Sequence, residues 1–119
     1  MEETEYLYPP IKIGKIEIAS KDWPEWLNWK DTNELISEIG DGWRLPTPEE
    51  ALYFIDLCVN LGIGEFSKWG NKDRRGYWTQ SEDFKGSTQL RTGLYIDHKS
   101  LYGYNIANPC LIRLVRDLE

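Results

Sequence analysis

"GDGWRLPTPEE", residues 40–50, holds in one short run a turn, a large aromatic, an arginine among apolar neighbours and the full signal for a helix start. Thr47 stands as the N-cap, Pro48 as the first helical residue and Glu50 as the third, so Thr and Glu can each satisfy a backbone N–H that the first turn leaves open. Behind them Ala51, Leu52, Ile55, Cys58, Val59 and Gly62 keep helical spacing, which predicts a largely buried helix. Ahead of them a first helix is predicted over 29–39, capped by Asn28, with Trp29, Thr32, Ile36 and Ile39 on one stripe and Leu35 beside it. Gly40 ends that helix in the left-handed conformation glycine favours. The stretch is therefore a joint between two helices. Within it Arg44 must reach solvent or be paired, because a buried unpaired charge costs several kcal/mol; Glu50 and Glu82 are the candidate partners, and a structural role outweighs ligand binding.

Outward from the joint, "IKIGKIEIAS" (11–20) alternates apolar and polar, but the apolar phase slips by one residue at Gly14. Such a slip means a β-bulge or a very tight hairpin. Trp23, Trp26 and Trp29 follow around Pro24, as core packing or as an exposed patch, with packing the favoured reading. After the second helix the pattern changes to short strands at 76–82, 89–97, 100–107 and 110–118, with an exposed loop at 70–76. Helices followed by a run of strands, with one strand ahead, predict an α+β fold.

With 119 residues the chain is expected to form one domain, 1–119, with 1–10 as a flexible or loosely packed arm. It is 40% hydrophobic with six Trp, seven Tyr and three Phe, which is ample for a core. The formal charge is −6, from 14 basic and 20 acidic residues, and the basic residues are scattered, so direct nucleic-acid binding through phosphates is not expected. An acidic surface could engage a basic partner or imitate nucleic acid; the plainer reading is solubility. Two cysteines, Cys58 and Cys110, and one histidine, His98, are too few for a zinc site built of Cys and His. A Cys58–Cys110 bridge stays open, buried thiols in apolar surroundings being the commoner case. The acidic start "MEETEYLYPP" is unlike a secretory signal and no run has membrane-spanning length, so the expectation is a cytoplasmic protein, or one whose export signal has been removed, with no membrane contact.

Taken together, "NWKDTNELISEIGDGWRLPTPEE", "GYWTQSE" and "LIRLVR" resemble the C-type-lectin-like domains of bacterial and phage proteins, of the Lcl C-terminal-like and Fibrobacter major-paralogous type. That family's pattern runs W-x-x-A, G-x-G-W-R-L-P-T-x-x-E, Y-W-S-S-[ST]-E and a final V-R-x-V-R. Here the first element is Trp29 to Thr32, with Thr in place of Ala. The second is complete over 40–50, including Trp43, Arg44, Leu45, Pro46, Thr47 and Glu50. The third begins at Tyr77 and Trp78 and ends at Glu82, with Thr79 and Gln80 in place of serines. The last covers 112–116, with Ile112 in a valine position and arginines at Arg113 and Arg116. The resemblance implies two helices on a small antiparallel sheet, first and last strands paired, and a long irregular excursion between. It extends more distantly to the formylglycine-generating enzymes and related sulfoxide synthases. Their reactive cysteine pair or histidine-rich iron site has no counterpart in two cysteines 52 positions apart and one histidine. The Glu-Pro-Asn or Gln-Pro-Asp and Trp-Asn-Asp segments of the calcium-dependent lectins are missing as well, "WGNKD" (69–73) being a loose echo, so neither metal nor cofactor is expected.

Candidate chemistry is sparse. His98 and Asp97 are neighbours on a predicted strand and point to opposite faces, so they make a poor acid/base pair. Asp56, Glu49 and Glu50 have ordinary roles in capping and solvation. The second half carries more. Trp69, Asn71, Arg74, Arg75, Tyr95, Asp97, His98, Tyr102, Tyr104 and Asn105 fall within 64–108, where "SLYGYNIAN" is rich in Tyr, Ser, Gly and Asn, the composition of adaptable recognition surfaces. The competing reading is that each fills a sheet or turn position. The expectation is a non-enzymatic recognition module, monomeric or a small homo-oligomer, binding a protein, or as a second class a glycan, through 64–108; a phage-encoded binder of a host factor fits. The alternative is a divergent or degenerate enzyme related to the formylglycine-generating group.

Overall fold

Gly14 turns the chain with a φ of +59°, a conformation in which a side chain would be strained. The strands it joins, β1 (Ile11–Ile13) and β2 (Ile16–Ile18), pair antiparallel with Ile13 opposite Ile16, so Gly14 and Lys15 are a two-residue turn and the phase slip marks a tight hairpin rather than a bulge. The turn abuts Phe54: a Cβ on Gly14 would lie 2.7 Å from the ring. The computed structural model describes residues 2–66, 76–81, 85–95 and 100–118. In the first ten residues α1 (Glu2–Leu7) delivers Leu7 into the core, and the Tyr8 ring meets Trp43 edge-on at 5.9 Å.

The next helix, α2 (Trp29–Ile39), has the predicted bounds and cap residues, though Gly40 combines its positive φ with a ψ of −147° and so is not in the left-handed helical conformation expected. Asn28 Oδ1 accepts from the Asp31 N–H at 2.8 Å, and Gly40, at φ +66°, donates its N–H to the Ile36 carbonyl. Thr32 is buried and donates to the Asn28 carbonyl at 2.7 Å, while Trp29, Leu35, Ile36 and Ile39 pack against the core formed by Trp43, Leu45, Trp78, Ile112 and Leu114. The joint at 40–47 then leads into a helix made of three successive segments: α3 (Pro48–Glu50), a π-helical turn (Ala51–Ile55) and α4 (Asp56–Leu61). Its capping box is complete. Thr47 Oγ1 accepts from the Glu50 N–H at 3.1 Å, and Glu50 Oε1 accepts from the Thr47 N–H at 2.9 Å. The expectation that this helix is largely buried requires correction. Ala51, Ile55 and Cys58 are buried against the sheets, but Leu52, Tyr53, Leu57 and Leu61 point out and are exposed. Helical spacing identifies faces; it cannot say which apolar face finds a partner.

Two sheets replace the single small sheet expected. The first, in the order β1-β2-β6, closes when β2 pairs antiparallel with β6 (Val115–Asp117), so the chain's two ends meet through the second arm of the hairpin, β1 lying outside it. The second contains β3 (Tyr77–Trp78), β4 (Leu90–Tyr95) and β5 (Ser100–Asn105), in that order and antiparallel. Isolated bridges tie further segments to the sheets: Leu111 pairs with Tyr77 of β3, Arg44 with Val115 of β6, and Leu27 with Cys110, so the segment 110–115 runs from one sheet to the other. The backbone groups of 110–114 bond to Leu27, Gly76, Trp78, Trp23 and Ala19 in turn, so the last predicted strand shortens to β6; 76–82 shortens to β3, the Gln80 N–H going to the Pro46 carbonyl. Cys110 packs with Trp78 and Ile112, Cys58 with Ile16, Ile18 and Val115; no disulfide joins the two, and burial pushes the Cys58 thiol up. The fold is α+β.

Candidate functional site

The conspicuous residues of the sequence are spent on holding the scaffold. Arg44 meets Glu50 through two parallel bonds, Nη1 to Oε1 at 2.8 Å and Nη2 to Oε2 at 2.9 Å, and adds Asp117 at 2.7 Å. The bidentate pair holds the Glu50 carboxyl below the usual carboxylate range and raises the Arg44 guanidinium further. Arg113, fully buried, gives Nε to Asp22 at 2.9 Å and other N–H groups to the carbonyls of Ala19 and Gly64, and lies 3.9 Å over the Phe66 ring. Tyr77 donates its hydroxyl to the same Asp22 carboxylate at 2.7 Å, and Trp78 donates Nε1 to the Leu27 carbonyl at 2.8 Å. Arg116 faces its cross-strand partner Glu17 at 3.1 Å and stacks 4.5 Å over Trp43. Trp43, Leu45 and Pro46 are buried. Glu82 lies outside the described residues.

Of the predicted recognition residues, Tyr95, Tyr102, Tyr104 and Asn105 are described; Trp69, Asn71, Arg74, Arg75, Asp97 and His98 lie outside the described residues. The four come together on the β4–β5 ribbon, where Tyr102 pairs with Gly93, Arg91 with Tyr104 and Tyr95 with Ser100. Alternation along a strand then sets Arg91 and Tyr95 on the same face as Tyr102 and Tyr104. Tyr95 is buried and Tyr102 is 42% exposed, their rings edge-on at 5.9 Å, so a fixed aromatic supports an accessible one. Tyr104 lies across Gly93, where a Cβ would come within 2.6 Å of its ring, and contacts Trp78 edge-on at 6.3 Å. Trp78 in turn meets Trp29 at 5.2 Å, and Arg91 sits 5.5 Å over the Trp29 ring. The face therefore runs from an exposed tyrosine through an aromatic row to a guanidinium. Arg91 escaped the sequence analysis because only the β4–β5 register brings it opposite Tyr104.

Not all of these side chains are available to a ligand. The Tyr104 hydroxyl is buried without a hydrogen-bond partner among the described residues, and desolvation holds its phenol well above the usual range. Asn105 is exposed, but its Oδ1 accepts from the Ala107 N–H at 2.8 Å and shapes the turn after β5. Elsewhere Glu17, Asp41, Gly42, Arg116 and Asp117 line a cleft of about 500 Å³ in which Arg116 is already bonded to Glu17, the Tyr8 hydroxyl and the Asp41 carbonyl. Among the described residues no His, Cys, Asp and Glu side chains gather in threes as a metal site, and no helix is long and apolar enough to cross a membrane.

No family model matches the chain, and no curated protein sequence matches it. Among solved structures, the crystal structure of botrocetin aligns with a TM-score of 0.62 at 13% identity, covering 93% of this chain and 98% of the botrocetin chain. At that identity the likeness speaks to architecture alone: with its paired terminal segments, its helices and its two small antiparallel sheets, the chain has a C-type-lectin-like fold.

Proposed function

We propose that this protein is a non-enzymatic recognition module that binds a protein partner through the β4–β5 ribbon and the segments around it within 64–108. One observation carries the reading: Tyr102 stands accessible on a paired strand, buttressed by buried Tyr95, at low entropic cost for an aromatic anchor. Arg91 and the half-buried Tyr104 extend that face with a cation and further ring surface. The C-type-lectin-like fold supports a binding role in general. The resemblance to bacterial and phage domains supports a setting inside a bacterial cell, with a host protein as the target of a phage-encoded binder.

The test compares native protein with Tyr102→Ala, each immobilised, for capture from bacterial lysate read by mass spectrometry, alongside a glycan array. A protein retained by the native chain and lost from an equally stable Tyr102→Ala variant supports the reading, with affinity for the purified target expected to drop by about tenfold or more. Identical captured sets overturn it, and array binding that depends on Tyr102 moves the ligand class to glycans.

A further inference from the structure

The outward face of the helix that starts at Pro48 is not accounted for by the scaffold. Among the described residues the exposed large apolar side chains are Tyr8, Trp26 and Tyr102, each apart from the others in sequence, and then Leu52, Tyr53, Leu57, Leu61 and Ile63 within twelve positions. Tyr53, Leu57 and Leu61 recur every fourth residue and form one stripe, with Leu52 beside it. Tyr53 is 75% exposed and Leu61 63%, so this is a second apolar stripe opposite the one that Ala51, Ile55 and Cys58 bury. Single exposed apolar residues are ordinary; a contiguous stripe on one helix marks an interface. The π-helical turn at Ala51–Ile55, a feature that recurs at functional positions, carries its N-terminal end, Leu52 and Tyr53.

Charge decides what fits there. Residues 45–67 hold no lysine or arginine, whereas Glu49, Asp56 and Glu65 are acidic, and the chain carries −6 overall. Glu49 and Glu65 are exposed; Asp56 is half-buried and accepts from Asn60 Nδ2 at 3.3 Å. A second copy laid antiparallel on the stripe would set Glu49 beside the partially negative carbonyl end of the other helix, which has no basic residue in its last turn, and would bring acid toward acid. A partner with cations at those places gains where a copy loses.

We propose that the outward face over 49–63 docks an amphipathic helix of a partner protein, one with apolar residues at helical spacing flanked by Lys or Arg. From Leu52 to Leu61 the stripe is about 14 Å long, which matches a partner helix of roughly ten to fourteen residues.

The probe is a pair of synthetic helical peptides of about fourteen residues with the same leucine stripe, one flanked by lysines and one by glutamates, titrated into the full chain with amide NMR and fluorescence anisotropy. The lysine peptide is expected to saturate, to move amides only within 49–63, to weaken with salt, and to bind about tenfold or more tighter than the glutamate peptide. Tyr53→Ser with Leu57→Ser should reduce that affinity about tenfold; Glu49→Lys, which leaves every apolar contact in place, should also weaken the lysine peptide and strengthen the glutamate peptide. Equal binding of the two peptides, absence of binding, shifts outside the face, or indifference to Glu49→Lys overturns the proposal. Self-association in sedimentation that Leu57→Ser abolishes overturns it in favour of a second copy.

Discussion

Arg113 and Asp22, 91 positions apart, share a hydrogen bond of 2.9 Å from Nε to Oδ1, and Tyr77 closes the group from a third element with its hydroxyl on the same carboxylate. The arginine is fully buried and the aspartate largely so, which makes this pair the joint between the final strand region, the loop ahead of α2 and the second sheet. Removing one partner leaves the other charge desolvated. Arg113→Met is therefore expected to cost about 3 kcal/mol or more, and Asp22→Asn less because the amide oxygen still accepts from Tyr77. In thermal melts the double variant should lose less than the sum of the two; strict additivity would mean the charges do not act together.

Glu50 couples the capping box to Arg44, and its folded carboxyl is held below the ordinary value, first by the Arg44 hydrogen bonds. A depressed carboxyl contributes stability that is present above its unfolded value of 4.5 and is lost as pH falls through the folded one. Stability should decline on acidification below about pH 4.5 with a contribution from this residue. Glu50→Gln keeps the cap but cannot ionise, so urea midpoints measured from pH 6 to pH 3 should show a shallower decline. An unchanged slope would assign the acid sensitivity to other carboxylates.

Tyr104 holds a buried hydroxyl with no partner among the described residues, at a cost that a ring without the oxygen would avoid. Tyr104→Phe is expected to be neutral or stabilising by up to about 1 kcal/mol, since it removes a desolvated polar atom and keeps the packing on Trp78. In the native protein the phenol stays protonated beyond the usual tyrosine range, so the alkaline absorbance change that appears only as the chain unfolds should shrink in Tyr104→Phe. Clear destabilisation by the Phe variant would mean the hydroxyl has a partner.

Gly93 lets the ribbon lie flat under Tyr104. A methyl group there would meet the ring at 2.6 Å and the Tyr77 carbonyl at 2.9 Å, and the carbonyl belongs to the neighbouring strand and cannot swing away. Gly93→Ala should destabilise by about 1–3 kcal/mol and displace Tyr104. Gly40→Ala makes a useful contrast: nothing lies within 4 Å, so only its backbone is strained, at φ +66° and ψ −147°, a region essentially confined to glycine, at a cost of about 1–3 kcal/mol with no ring displaced. Chemical denaturation of the two variants, with the Tyr104 ring displaced in one alone, separates packing from backbone strain.

What the sequence determined by itself is local. The bounds of α2, its Asn28 cap and the Thr47–Glu50 box are written in residues a few positions apart, where hydrogen-bond geometry acts directly, whereas Gly14 allowed a bulge or a hairpin and Arg44 allowed Glu50 or Glu82 until the fold chose the hairpin and paired Arg44 with Glu50. The association of Arg44 with Asp117, of Arg113 with Asp22 and of Arg91 with Trp29 was not legible there, because each joins elements whose relative placement depends on every layer between them. The same holds for the candidate surface. Composition pointed to tyrosines in the second half, but Tyr102 and Tyr104 share one face of β5, and only the packing of Trp78 and Gly93 beneath Tyr104 buried its hydroxyl while Tyr102 stayed exposed. The second helix shows the limit most plainly: its spacing offered two apolar faces, and the sheets had room for one. Burial is a property of what an element packs against, and that is decided by tertiary structure.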